Sequence, residues 1–251
     1  MTRVSVIIPA CQAGELITCV LDRLFEAVTL SCEVIVVLDG LADPTLPYVT
    51  GYADPRVRYQ LTREGHGTAD AIRSGMAAAR ADVIVVTMPS GGDDLRQIDD
   101  LTWLVERGCA IAAASRYVRG GQLAGAPRMR GLMSRGACRS LQLFTKLGTT
   151  DATNSFKACS AAFAKGAGID SRIGFDIGIE LTAKARRLRL PIAEIPTIGV
   201  DHLAGLSGLA MVRWLPSYLR WYWFCFGPRL TMTQLRAKAT ARQLPLMRYC
   251  D

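Results

Sequence analysis

Histidine is nearly missing from this chain of 251 residues, which holds two, and its eight cysteines (Cys11, Cys19, Cys32, Cys109, Cys138, Cys159, Cys225 and Cys250) include no C-x-x-C and no paired spacing. Zinc needs such ligands in clusters, so scattered thiols are a better reading than a zinc centre. No G-x-G-x-x-G follows the first apolar run, where the turn reads Pro9-Ala10-Cys11-Gln12-Ala13-Gly14, and no G-x-x-x-x-G-K-[ST] occurs anywhere. These absences argue against a nicotinamide-binding oxidoreductase and a P-loop enzyme. Long hydrophobic runs are lacking too. The most membrane-like stretch, Trp214 to Phe226, is 13 residues long and contains Pro216 and Arg220, against the roughly 20 apolar residues that span a bilayer. The opening "MTRVSVIIPACQ" has a short apolar run before a proline and no secretory leader pattern, which predicts a cytoplasmic chain.

Half of the residues are hydrophobic, enough for one substantial core. Thirty Lys and Arg oppose 22 Asp and Glu, a formal charge of +8, which suits an anionic partner such as a phosphate or an acidic membrane face. The basic residues come with no recognition-helix or aromatic-strand motif, so nucleic acid is not an expected partner.

Apolar runs bounded by turn residues alternate with helix-period segments through the first half, the pattern of a mostly parallel α/β sheet flanked by helices. Strands are predicted at 4–8, 33–38, 57–61, 82–88 and 110–115, and helices at 14–28, 68–80 and 96–107, with a shorter piece after Asp43. Beyond Ser115 a Gly/Arg/Pro-rich loop leads to an amphipathic helix over 132–146 and then to "TTDATNSFKACS". A helix over 176–189, a strand over 192–198 and a second amphipathic helix over 206–226 come next, ahead of a basic tail at 228–251. The expectation is one domain over 1–227 with two functional halves, 1–115 and 116–227.

Asp39 closes the second strand at the carboxyl edge of the sheet, where open α/β sheets bind ligands; it reads equally as recognition of a base or ribose and as an Asx turn with Asp43 capping the next helix. His66 lies between glycines before a helix, which suits either a ligand approach to free N–H groups or an ordinary turn.

Together these pieces carry a resemblance. "VSVIIPA", "EVIVVLDGLAD", "GHGTADAIRSGMAAARADVIVV", "SRYVRGG", "MRGLMSRGACRSLQLFTKLGTTDATNSFKA", "GFDIGIELTAKARRLRLPIAEIP" and "DHLAGLSG" are collinear over about four-fifths of the chain. In this order the chain resembles the family 2 glycosyltransferases of GT-A fold, most closely the dolichyl-phosphate mannosyltransferase-like and other polyprenyl-phosphate glycosyltransferases. The resemblance implies inverting transfer of a sugar from a nucleoside diphosphate sugar, GDP-linked by analogy, to a lipid phosphate or a specialised small molecule. It implies that 1–115 is the nucleotide half and 116–227 the acceptor half. It implies a donor site at Pro9, Ala10, Asp39, His66, Ser90 and Gly91, and an acceptor-phosphate site at Arg116, Arg128, Arg130, Ser134 and Ser207. An inactive relative that binds a nucleotide or a protein is the alternative.

The departures are concentrated. The metal-binding D-x-D of the family falls on Pro89-Ser90-Gly91 or, shifted by one, on Met88-Pro89-Ser90, neither with an aspartate, leaving Asp93 and Asp94 as weak candidates for an Mg2+ or Mn2+ held loosely if at all; both also read as the acidic start of a helix. His202 stands where the family has an arginine for the donor phosphates, and with Arg116 it is a candidate for neutralising the leaving group. Asp176 and Glu180, at i and i+4, are candidate bases for an alcohol acceptor, or helix-start charges. The amphipathic helix over 132–146 and the aromatic-rich one containing Trp214, Trp221, Tyr222, Trp223 and Phe224 suit a peripheral membrane contact, and equally a packed core or a homo-oligomer seam.

Overall fold

The structure, a computed structural model, describes residues 2–63, 67–125, 127–172, 174, 176–200 and 208–240. Its centre is a seven-stranded sheet of β1 (Val4–Pro9), β2 (Cys32–Leu38), β3 (Val57–Leu61), β4 (Val83–Val86), β5 (Ile111–Ser115), β7 (Lys157–Ser160) and β8 (Ile192–Pro196). The spatial order is β3-β2-β1-β4-β7-β5-β8, with β7 antiparallel to both neighbours and the other pairs parallel. A small second sheet pairs β6 (Gln122–Ala124) with β9 (Ile198–Val200).

Strands β1, β2 and β4 are buried on both faces and mostly apolar, as the covered strands of a parallel sheet must be, whereas the edge strand β3 is only partly buried. Val4, Val6 and Ile8 of β1 and Val34, Val36 and Leu38 of β2 meet α1 (Leu16–Ala27) and α4 (Gln97–Glu106). The alternate residues Ile7, Ile35 and Val37 meet α3 (Thr68–Ala78), and the same core continues under α6 (Ala161–Ala167) and α7 (Ile177–Leu188). In α1 the buried residues are Ile17, Val20, Leu21 and Leu24, one helical stripe, each worth about 1.5–3 kcal/mol of apolar burial. The short α2 (Leu46–Thr50) follows Asp43 as expected.

The second half departs more from the expectation. β7 and α6 lie in "FKACSAAFAKGA", where four strand residues beginning with a lysine give no period to detect. The helix expected from Leu132 begins at Arg128: α5 runs Arg128–Thr145, and α8 runs Gly208–Phe224 around Pro216. Of the basic tail expected over 228–251, the described part to residue 240 packs through α9 (Met232–Thr240): Leu230 and Leu235 are buried, and Arg236 Nε donates to Gly166 O at 2.8 Å. Arg187 fastens the turn before α9 by donating to Pro228 O and, at 2.8 Å, to Phe224 O.

The register sets one edge for chemistry. β1 pairs Pro9 with Val37, β4 pairs Val86 with Ile7 and Lys157, and β5 pairs Ala113 with Lys157 and Ser115 with Pro196. The segments leaving β1, β2, β4 and β5 and the segment entering β7 therefore meet at the carboxyl edge, on both sides of residues 88–92.

Candidate active site at the carboxyl edge of the sheet

On the donor side, β1 ends in the buried Pro9 and Ala10. Asp39 follows β2 half-buried, and its Oδ1 accepts from Cys11 Sγ at 3.0 Å and from Gly67 N–H, ahead of α3, at 3.1 Å. Burial first, and Asp39 beside it, push the Cys11 thiol far above its ordinary range, so it stays a neutral donor. The Asx-turn role belongs to Asp43, whose carboxylate accepts from Gln12 N–H at 3.1 Å and Thr45 N–H at 2.9 Å. Burial raises the Asp43 pKa, but these hydrogen bonds outweigh it and hold it below the usual value. His66 lies outside the described residues.

The loop after β4 is occupied by its own contacts. Gly91 sits at φ +71, and Arg23 of α1 donates to its carbonyl at 3.0 Å. Ser90 is exposed. Asp93 turns back, accepting from Thr87 Oγ1 at 2.8 Å and Met88 N–H at 3.3 Å, and Asp94 pairs with Arg96 at 3.0 Å. Both carboxylates thus make local contacts of the turn and helix-start kind that the sequence also allowed. Among the described residues no group of three His, Cys, Asp or Glu could hold a metal ion. The donor set at this loop does not fit a divalent ion, which wants several oxygens with charge among them.

The acceptor side is better built. Arg116, just past β5, donates through Nε and Nη2 to both oxygens of Asp151, at 2.7 and 2.9 Å, and from its backbone N–H at 3.0 Å. Nη2 also reaches Thr153 Oγ1 at 3.1 Å. Ser134 of α5 joins them, accepting from Tyr117 OH at 2.9 Å and lying 3.4 Å from Thr153 Oγ1. Asp151 is completely buried; burial raises its pKa, but the Arg116 guanidinium beside it holds the carboxylate below its usual range. Nη1 makes none of the hydrogen bonds found for Arg116 among the described residues, and the Arg116 side chain is 18% exposed. The fork is thus anchored on one side and has donors left on the other. Arg128 and Arg130 lie in the first turn of α5; their side chains, with all of His202 and Ser207, lie outside the described residues.

The two candidate bases part company. Glu180 accepts from Asp170 N–H at 2.6 Å and Ser171 N–H at 2.8 Å, and pairs with the buried Lys184 at 2.5 Å. Fully buried and engaged on both oxygens, this carboxylate braces the loop before α7. Asp176 is also fully buried at the start of α7; its Oδ2 accepts from Ser217 Oγ of α8, and its Oδ1 finds no partner among the described residues.

Three further residues belong to this edge: Asp151, Thr153 and Arg23. Asp151 was legible as the first acid after a stretch from Arg116 to Thr150 that has seven Arg and Lys and no Asp or Glu. Gly178 holds α7 close to the same turn: a Cβ there would sit 2.5 Å from Asn154 O and 2.8 Å from Thr153 O. Gly178→Ala is expected to destabilise by about 1–3 kcal/mol despite its better helix propensity, because backbone must move. Urea unfolding measures it, and a stabilised variant would show that the turn gives way freely.

The mostly parallel sheet flanked by helices is that of the GT-A fold. The family model "Glycosyl transferase family 2" matches residues 5–165, and the chain belongs to that family. It is 28% identical over 216 residues to the undecaprenyl-phosphate mannosyltransferase of Micrococcus luteus, covering 83% of this chain and 88% of that one. With the dolichol-phosphate mannosyltransferase of Pyrococcus furiosus it shares 27% identity over 87% of this chain and 64% of the longer relative. Among solved structures, glucosyl-3-phosphoglycerate synthase of Mycobacterium tuberculosis, crystallised with Mn2+, UDP and glucosyl-3-phosphoglycerate, aligns with TM-score 0.68 at 15% identity, over 92% of this chain and 82% of that one.

Proposed function

We propose that this glycosyltransferase moves a sugar from a nucleoside diphosphate sugar to a polyprenyl phosphate, with inversion, and with little or no dependence on a divalent ion. The observation that carries this reading is the anchored Arg116, with spare donors, beside Ser134 and Thr153, an arrangement that suits a phosphate. The names of the relatives support the acceptor. A phosphate oxygen is anionic already and attacks the sugar carbon without a base, which agrees with Glu180 being engaged elsewhere. Asp39 and the start of α3 would hold the donor's ribose or base. Arg23 and the neighbouring basic residues would oppose the charge that develops on the departing diphosphate.

The test is transfer from GDP-mannose and UDP-glucose to a prenyl phosphate, with Mg2+, with Mn2+ and with EDTA. Turnover that falls by less than about threefold in EDTA is expected, since fixed cations already supply the charge. Turnover abolished by EDTA and restored by metal would overturn metal independence. Pro89-Ser90-Gly91 in place of paired acids favours a second reading, an inactive nucleotide-binding relative; nucleotide binding without turnover in any condition would establish it.

The acceptor also suggests where the protein works. No helix among the described residues is long and apolar enough to cross a membrane. Yet α5 exposes Met129, Leu132, Met133, Leu143 and Phe144, and α8 with its following turn exposes Leu215, Leu219, Trp223 and Phe226. Ser140 and Tyr222 tie the two helices with a 2.8 Å hydrogen bond. From His202 to Cys250, as from Arg116 to Thr150, there are seven Arg and Lys and no acid. Such a face suits an anionic leaflet. Sedimentation with vesicles containing phosphatidylglycerol, weakened by salt and absent with phosphatidylcholine alone, is the expected result; equal binding to both would remove the electrostatic part.

A further inference from the structure

Lys157 is the second residue that the acceptor turn depends on, and the transfer reaction gives it no role. It opens β7 fully inside the protein, and its Nζ donates to the carbonyls of Asp151 at 3.2 Å, Ala152 at 3.3 Å and Asn154. All three acceptors belong to the single turn that carries the carboxylate gripping Arg116 and the hydroxyl of Thr153. A buried ammonium is expensive, and an apolar side chain would pack β7 at lower cost. We propose that Lys157 is the positioning residue of the acceptor-phosphate site: by gathering these carbonyls it fixes the turn, through the turn it aims Arg116, and its charge adds to the pull on an anion.

The charges at the site support this. Arg116 and Lys157 share Asp151 as their strongest carboxylate partner, so loss of the Lys157 proton leaves the cluster one charge less positive. The other titratable groups facing Lys157 are Cys138 of α5 and Glu194 of β8. Burial pushes the Cys138 thiol up, so it stays neutral. Glu194 is occupied by Thr149 Oγ1 at 3.0 Å and by Thr150, whose N–H and Oγ1 donate at 2.7 and 2.8 Å. Burial, only partly offset by Asp151, lowers the Lys157 pKa to about 8. The folded protein therefore surrenders this proton before free lysine would. Grip on the anion is full below that pH and weakens as pH rises through it.

The inference rests on the acceptor site proposed above, and the experiment separates the two. Calorimetric titration with farnesyl phosphate is run from about pH 7 to about pH 9.5, a window above the second phosphate ionisation, near 6, in which the ligand's charge changes little. Wild-type Kd is expected to rise about tenfold across the window, as the loss of a charge-assisted interaction implies. Lys157→Met should bind about tenfold more weakly at neutral pH and show no further change. Lys157→Arg, which keeps its charge throughout, should also be flat; UDP and GDP binding report whether each variant is folded. A Lys157→Met variant that binds as wild type does, or a Lys157→Arg variant that retains the wild-type pH curve, overturns the inference while leaving the acceptor site standing. Absence of binding by the wild type, or binding that Arg116→Ala leaves unchanged, overturns both.

Discussion

Asp151→Asn is expected to lower the unfolding free energy by about 3–5 kcal/mol, because it strips the counter-charge from a mostly buried arginine and leaves that cation in place. The pair is bidentate, Asp151 is fully buried, and the same carboxylate takes Asn154 N–H at 3.1 Å. The surface pairs Arg3–Glu106 and Arg56–Asp54 offer no comparable loss, since they are solvent-exposed and exposed pairs contribute about 0–1 kcal/mol. The pH dependence has a definite sign. A carboxyl held below its ordinary range in the fold stabilises the protein once pH exceeds the unfolded value, and that stability disappears as pH falls through the lowered native value. Urea unfolding of the wild type should weaken in acid, whereas the Asn variant lacks this portion of the decline. Identical acid profiles for the two proteins would refute the assignment.

How far the sequence revealed this can be judged residue by residue. The first half was legible because most of its strands are dense apolar runs, as in β2 and β4, and its helices carry clear stripes, as in Ile17, Val20, Leu21 and Leu24. Asp39, Arg116 and Ser134 were placed from the resemblance, and the structure does bring Arg116 and Ser134 together around Thr153. What escaped the sequence was which charges are already engaged. Asp176 and Glu180 look equivalent at i and i+4, and only the loop at 168–172 decides that Glu180 faces two N–H groups and Lys184. Asp93 and Asp94 have the composition of ligands, but their geometry is that of local turns. β7 was lost for a related reason: it contributes a lysine and small residues to the centre of the sheet, so its burial comes from tertiary pairing and leaves no periodic trace.

Arg116→Lys should reduce kcat/KM for the prenyl phosphate by at least about a hundredfold while donor-nucleotide affinity stays within about twofold, because the fork, and not the charge alone, meets both Asp151 and the ligand. An ammonium can reach one oxygen of Asp151 but cannot also hold Thr153 and present further donors outward. If lysine restores most of the activity missing from Arg116→Ala, the site works as a simple point charge and its planar geometry is irrelevant. A double variant sharpens the distinction between stability and catalysis. Arg116→Met with Asp151→Leu removes both charges, so most of the stability lost in Asp151→Asn should return, as happens when a buried pair is replaced as a unit. The recovery should be incomplete, since Lys157 keeps its three carbonyls but loses its nearest carboxylate. Transfer should stay as low as in Arg116→Ala, measured with the same donor and acceptor. Activity that returned together with stability would mean that the pair serves only to hold the fold, and that the acceptor's phosphate is bound somewhere else.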